Sequence, residues 1–230
     1  MSIPKYVVNL KRRANRLESF WKKCPFSNNE IKVVEAFDGK YADQNAYETN
    51  TYKDMLDKCH LMPGEIGCFL SHLHLWKTIM KDVKVGGYAM VFEDDVEFCE
   101  DFMERWSRIK EQMAGDVCIG TILYIGGRPS PLYKTFSGKI ISDDIMETHI
   151  KEDRDRTTHS YVISRDGAEF LVRTFYEKMN NPYTNDKKYH FRAVDHYMLM
   201  AFRKTNTVVH NSMPHLCWSS IVSGESDTIC

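Results

Sequence analysis

Two apolar, β-branched runs set the terms for this chain: KYVVNL at residues 5–10 and IKVVEAFDG at 31–39. Between them Leu17, Phe20, Trp21 and Cys24 recur at helical spacing, so one face of the intervening segment is apolar. The pattern predicts a βαβ start, closed by a turn at Asp38-Gly39. Parallel strands joined by a helix put functional loops at the carboxyl ends of the strands.

The rest of the chain extends this α/β reading. Residues 41–58 are polar with a short amphipathic piece (Tyr52, Met55, Leu56, Cys59) that predicts one helix. Pro63-Gly64-Glu65 then opens a helical stripe through Ile66, Phe69, Leu70, Leu73, Trp76 and Met80. After Gly86-Gly87 comes YAMVFEDDVEF, a strand running into acids, followed by an amphipathic helix through Phe102, Trp106, Ile109 and Met113. VCIGTILYIGGR predicts a strand ending in glycines and Arg128, and SDDIMETHIKEDRDR a solvated connection or irregular edge. THSYVIS resumes a strand, RDGAEFLVRTFYEKM and RAVDHYMLMAFRKT form helices, and the last segment holds a short strand and a turn-rich tail.

Composition narrows the class. With 230 residues, 43% hydrophobic and 27% charged, the chain suits one globular domain over 1–230. Its 31 basic and 32 acidic residues leave a net charge of -1, so no global field draws it to nucleic acid or an anionic membrane. No apolar stretch approaches the ~18 residues needed to span a bilayer. The N-terminus MSIPKYVVNL lacks the three-part pattern of a signal peptide, the seven cysteines show no CxxC framework, and there is no Asn-x-Ser/Thr sequon. The corresponding expectation is a cytoplasmic protein with reduced thiols, in a host cytosol or virion if the source is viral.

Three groups of residues could carry chemistry. Glu93, Asp94 and Asp95 repel one another unless solvent, a cation or a partner compensates them. If 88–95 is extended, alternation puts Glu93 and Asp95 on one face and Asp94 on the other, and two carboxylates can then share Mg²⁺ or Mn²⁺. A solvated acidic turn is the alternative. Arg12, Arg13 and Arg16 open the first helix beside Asn9, where N–H groups and guanidinium groups suit a nucleotide diphosphate, or else form a basic solvated face. Cys68, His72 and His74 lack zinc spacing: Cys68 and His72 could share a helix face, but His74 points elsewhere. A core or substrate-facing role is the expectation for His72.

Taken in order, YVVNLKRRANR (6–16), VEAFDGK (34–40), GEIGCFLSHLHLWK (64–77), VFEDDVEF (91–98), LYIGGR (123–128), SYVISRDGA (160–168), AVDHYM (193–198) and SDT (226–228) resemble glycosyltransferase family 25. The resemblance implies a GT-A-type, Rossmann-like fold with a mixed central sheet flanked by helices. It also implies a UDP-sugar donor, inversion at the anomeric carbon, and Mn²⁺ (or Mg²⁺) held against the diphosphate by Glu93 and Asp95, with His215 or Asp227 completing the shell. By position in the matched motifs, Asn9, Arg13, Arg16, Asp38, Gly39, Lys40, His72 and Asp94 fall to the donor site, and Asp195 to the base.

The motifs are closer to the procollagen galactosyltransferase branch, which implies galactose or glucose transfer to hydroxylysine of a collagen-like chain. A lipooligosaccharide or other glycan is the alternative acceptor. A metal-dependent phosphohydrolase and a non-catalytic glycan- or collagen-binding chain are the competing classes. A homo-oligomer is compatible with the apolar stripes.

Overall fold

The computed structural model describes residues 2–115, 120–127, 138–148, 157–180, 191, 193–205, 209–212 and 214–219. It opens with the expected βαβ unit: β1 (Lys5–Asn9), a 3₁₀ turn at Lys11–Arg13, α1 (Ala14–Lys23) and β2 (Ile31–Glu35), with β1 and β2 parallel. A 3₁₀ stretch at Gly39–Gln44 and α2 (Thr49–Lys58) lead to α3 (Pro63–Asp82). Then come β3 (Tyr88–Glu93), β4 (Val96–Phe98), α4 (Phe102–Ala114), β5 (Ile122–Tyr124) and β6 (Gly126–Gly127). The remaining elements are β7 (Gly138–Ser142), β8 (Ile145–Thr148), β9 (Ser160–Ser164), α5 (Arg165–Met179), α6 (Val194–Lys204), β10 (Val209–Ser212) and β11 (Cys217–Ser219).

Eight strands form one mixed sheet in the order β2-β1-β3-β9-β5-β10-β8-β7, and β4-β11-β6 form a smaller one. The mixed α/β class with a large central sheet between helices is as expected. Strand alternation divides the core in two. Tyr6, Val8, Ala89, Val91, Ile122, Tyr124, Tyr161 and Ile163 pack with α2, α3, α5 and α6, while Val7, Met90, Phe92, Leu123 and Val162 pack with α1 and α4. Burying one large apolar side chain is worth roughly 1.5–3 kcal/mol. On that scale α3, which buries Ile66, Phe69, Leu70, Leu73, Trp76 and Ile79, is the main anchor of its layer.

α3 also lies unusually close to the loop after β2. A Cβ on Gly39 would sit 1.8 Å from the Pro63 carbonyl oxygen, and one on Gly67 would sit 2.8 Å from the backbone nitrogen of Gly39. Ser71 Oγ fastens the seam, accepting from the Phe37 N–H at 2.8 Å and donating to the Gly67 carbonyl at 2.7 Å. The helix that faces the end of β3 is therefore fixed to the end of β2.

One expectation is narrowed and another needs correction. Of the two expectations for the charged stretch, a solvated connection or an irregular edge, the described part fits the second: β7 and β8 form an antiparallel hairpin with a register shift at the sheet edge. Its turn residue Asp144 is buried, 3.3 Å from Arg105 Nε and 2.8 Å from Arg108 Nε, so the charges that looked solvated bind the hairpin to α4. The C-terminal region carries two strands, β10 and β11, where one was expected. Residues 117–119 of the expected VCIGTILYIGGR strand, Arg128, 149–156 and the SDT segment lie outside the described residues.

The Arg108 hydrogen bond, together with Arg105 and against a burial penalty, holds the Asp144 carboxyl below the usual carboxylate range. Asp144→Ala should cost about 3 kcal/mol in urea unfolding, because it leaves the Arg105 charge buried without its carboxylate. The sign with pH follows from the lowered value: the contribution is complete above about pH 4 and is lost as pH falls through the folded-state pKa. Asp144→Asn should accordingly flatten the acid limb of the stability curve, and an unchanged limb would count against this anchor.

Candidate active site

Glu93 ends β3 on the face that meets α3. Its N–H donates to the His159 carbonyl at 2.8 Å, the last rung toward β9. The chain then leaves the large sheet: Asp94 and Asp95 form a turn into β4, so the extended run expected over 88–95 stops at Glu93. The turn arises because β4 pairs with β11 in the small sheet, which pulls the backbone away from β9. The acids still divide as alternation would divide them, Glu93 and Asp95 toward His159 and Asp94 toward α1.

On the first side, Glu93 Oε2 lies 3.4 Å from His159 Nδ1 and Glu93 Oε1 lies 3.2 Å from His72 Nε2. Asp95 Oδ1 is 3.8 Å from the same His159 nitrogen, and Asp95 Oδ2 accepts from Ser219 Oγ at 2.9 Å. Donor atoms of Glu93, Asp95 and His159 all lie within 4.8 Å of one another, as do those of Cys68, His72 and Glu93. Burial pushes the Glu93 carboxyl up, but its hydrogen bonds with His159 and His72 outweigh this and hold it well below the usual range. Asp95 moves the other way, raised by burial and by the Glu93 charge against the opposing pull of His159 and Arg16. The cluster therefore pairs a partly exposed carboxylate, Glu93, with a buried one, Asp95, whose ionisation it suppresses, the condition that a shared cation relieves.

On the second side, Asp94 is buried and ion-paired with Arg16, and it accepts from Asn9 Nδ2 at 2.5 Å. Burial raises it to about 6 despite Arg16 and Asn9. Asn9 Nδ2 also donates to the Arg13 carbonyl at 3.1 Å, tying the end of β1 to the start of α1. Arg16 Nη2 is 3.7 Å from Asp95 Oδ2, so one guanidinium spans both acids of the turn.

The structure brings Asn9, Arg16, His72, Glu93, Asp94 and Asp95 together through these contacts, and Arg13 joins them through its backbone carbonyl. Asp38 pairs with Arg12 at 2.5 Å and caps its own 3₁₀ stretch by accepting from the Lys40 N–H at 3.0 Å. Gly39 is buried beneath α3, and Lys40 is exposed with its ammonium 5.6 Å from the Tyr41 ring centroid. Asp195 lies in the first turn of α6. The Cys68 thiol is pushed well up by burial and by the charges of Glu93, Asp195 and Asp95. His215 packs against Gly127, where a Cβ would meet its Nε2 at 2.1 Å, and it belongs to neither group of close donor atoms. His74 stacks on Tyr47 with centroids 4.0 Å apart. Asp227 lies outside the described residues.

Sequence reasoning missed His159, Ser219 and Tyr161. His159 directly precedes β9, inside a segment expected to be a strand, but only the antiparallel pairing of β9 with β3, Phe92 opposite Ser160, brings it to Glu93. Ser219 reaches Asp95 across 124 residues through the β11–β4 pairing.

A family model described as glycosyltransferase family 25 (LPS biosynthesis protein) matches residues 2–198. The chain belongs to glycosyltransferase family 25. It is 28% identical over 174 residues to human procollagen galactosyltransferase 2, covering 73% of this chain and 27% of that protein. It is 32% identical over 131 residues to the mouse protein named inactive glycosyltransferase 25 family member 3, covering 53% of this chain and 21% of that one. The chain thus spans roughly a quarter of the length of the curated relatives it matches. Among solved structures, mouse xyloside xylosyltransferase 1 in its apo form overlays with a TM-score of 0.46 at 9% identity, covering 90% of this chain and 83% of that one.

Arg16→Met should cost about 3 kcal/mol, because it leaves Asp94 buried without its cation. Adding Asp94→Asn should restore part of that loss. Urea unfolding of both single variants and the double variant closes the cycle, and strictly additive losses would mean that the pair is not coupled.

Proposed function

We propose that this chain is an inverting, metal-dependent glycosyltransferase that moves a hexose, galactose or glucose, from a UDP-sugar to the hydroxyl of a hydroxylysine in a collagen-like chain. The observation that carries the reading is the convergence of Glu93, Asp95 and His159 at the carboxyl end of β3, beside Arg16. Two carboxylates and an imidazole within one ion's reach fit Mn²⁺, with Mg²⁺ the harder alternative. Bound there, the ion would supply positive charge for the diphosphate as it leaves. No helix among the described residues is long and apolar enough to cross a membrane, so nothing there opposes action on a polymeric acceptor in water.

The chain's own residues take the remaining tasks. Arg16 lies between the acidic turn and the start of α1, where a guanidinium can pair with phosphate oxygens, and Arg12 and Arg13 extend that basic edge. Asn9 holds the turn in place through Asp94. Asp195 takes the proton of the acceptor hydroxyl, and its Oδ1 accepts from the His196 N–H at 2.7 Å, which orients the carboxylate. The acceptor oxygen bonds the anomeric carbon from the face opposite the phosphate, the carbon–oxygen bond to phosphate breaks, and UDP leaves with the electron pair.

The mouse relative named inactive motivates a second reading, a non-catalytic chain that binds glycan or collagen-like ligands. Incubation with UDP-galactose or UDP-glucose, Mn²⁺ and a hydroxylysine-bearing collagen peptide should add one hexose to the peptide mass, and EDTA should abolish the gain. Asp95→Asn should lower kcat roughly 100-fold, the scale of losing one group at a developing charge. Peptide binding without either UDP or Mn²⁺ binding would replace the catalytic reading with the second.

A further inference from the structure

Glu93 belongs to both groups of close donor atoms, one with Asp95 and His159 and the other with Cys68 and His72. The position of one proton on His72 decides which group is fit for a cation. Trp76 Nε1 donates to Tyr161 Oη at 3.1 Å, and an indole N–H can only donate, so the phenolic oxygen is the acceptor there. The phenolic hydrogen needs an acceptor of its own. Among the described residues the one within hydrogen-bonding reach is His72 Nδ1, at 2.8 Å.

Tyr161, Trp76 and His72 are all buried, so a phenolic hydrogen without an acceptor would cost about 1–3 kcal/mol. Nδ1 therefore accepts, and the ring hydrogen resides on Nε2, which faces Glu93 Oε1 at 3.2 Å. The far end of the chain makes the same demand, since a bare Nε2 lone pair would otherwise confront a carboxylate oxygen.

We infer that Trp76, Tyr161 and His72 form a one-way hydrogen-bond chain that fixes Glu93 Oε1 and presents Oε2 to Asp95 and His159, making His72 a positioning residue of the cation site and not a ligand. The inference rests on the proposed cation at Glu93 and Asp95. Its physical basis is pre-organisation: a carboxylate held by an outer partner needs no reorientation when an ion arrives. Trp76 and His72 are four residues apart on α3 and share a face, so the helix itself sets their spacing. Tyr161 comes from β9, the strand paired with β3, so the phenol that donates to His72 and the carboxylate that ends the chain are fixed to the same sheet. The arrangement also predicts the class of ion: with Nε2 carrying a hydrogen, the Cys68 group lacks its imidazole ligand, and the site takes oxygen-preferring divalent cations in place of thiophilic ones.

Nitrogen-15 NMR of the histidine-labelled protein in EDTA should show His72, assigned with His72→Gln, as the neutral Nε2–H tautomer. An Nδ1–H tautomer or an imidazolium would overturn the chain. In Mn²⁺ titrations followed by electron paramagnetic resonance, Tyr161→Phe and His72→Leu should weaken binding about 10–100-fold. His72→Gln, which keeps an N–H for Glu93, should lose less than His72→Leu. Equal affinity in wild type and Tyr161→Phe would refute the positioning role, as would a thiolate-to-cobalt absorption band that disappears in Cys68→Ala. Wild-type protein that binds no Mn²⁺ would instead sink the proposed function, while the tautomer measurement still decides the hydrogen-bond chain.

Discussion

Three consecutive carboxylates, two of them buried, are tolerable at the end of a core strand only because each is met by a different partner. Glu93 has two histidines, Asp94 has Arg16 and Asn9, and Asp95 has Ser219 with a share of His159 and Arg16. These partners come from α3, the residue before β9, α1, β1 and β11, so the compensation of one short turn recruits both layers of helices and both sheets. Charge this concentrated acts as an assembly constraint: elements that fail to reach it leave a carboxylate in low dielectric without a counterpart.

The seam between α3 and the loop after β2 follows from the same demand. His72 can meet Glu93 only if α3 lies low over the sheet, and two glycines and a serine hydroxyl permit that approach. Family 25 membership gives the AFDGK and GEIGCFLSH segments a shared meaning in these terms. Gly39 in the first and Gly67 in the second face one another, and Ser71 ties them. Two segments that look like separate motifs in the chain are the two sides of one contact.

Much of the fold was legible because its elements are strongly periodic. The βαβ start, the long apolar stripe of α3 and the strand running into acids all follow from local spacing. The edge at β7–β8 was one of two readings left open, but its anchoring was not legible, since its turn acid is buried by arginines from α4 and reads as solvated without them. At the site, the separation of Asp94 from Glu93 and Asp95 was anticipated by alternation, although a turn and not an extended strand produces it. His159 and Tyr161 were hidden for a different reason: their places depend on which strand β9 pairs with, and one chain's periodicity carries no pairing information. Asp38, Gly39 and Lys40 were assigned by motif, and the contacts among them are an ion pair, a close helix approach and an exposed ammonium.

The small sheet gives the site a history as well as a shape. β11 lies between β4 and β6, and the strand carries Ser219 to Asp95 from 124 residues away. Closing so long a loop is entropically slow, and the reward comes only when both neighbouring strands are already placed. The acidic turn is therefore complete only once a segment far along the chain has joined it. Until residues 217–219 dock, Asp95 lacks its hydroxyl partner, so the finished site depends on the pairing of β11 with β4 as much as on the large sheet.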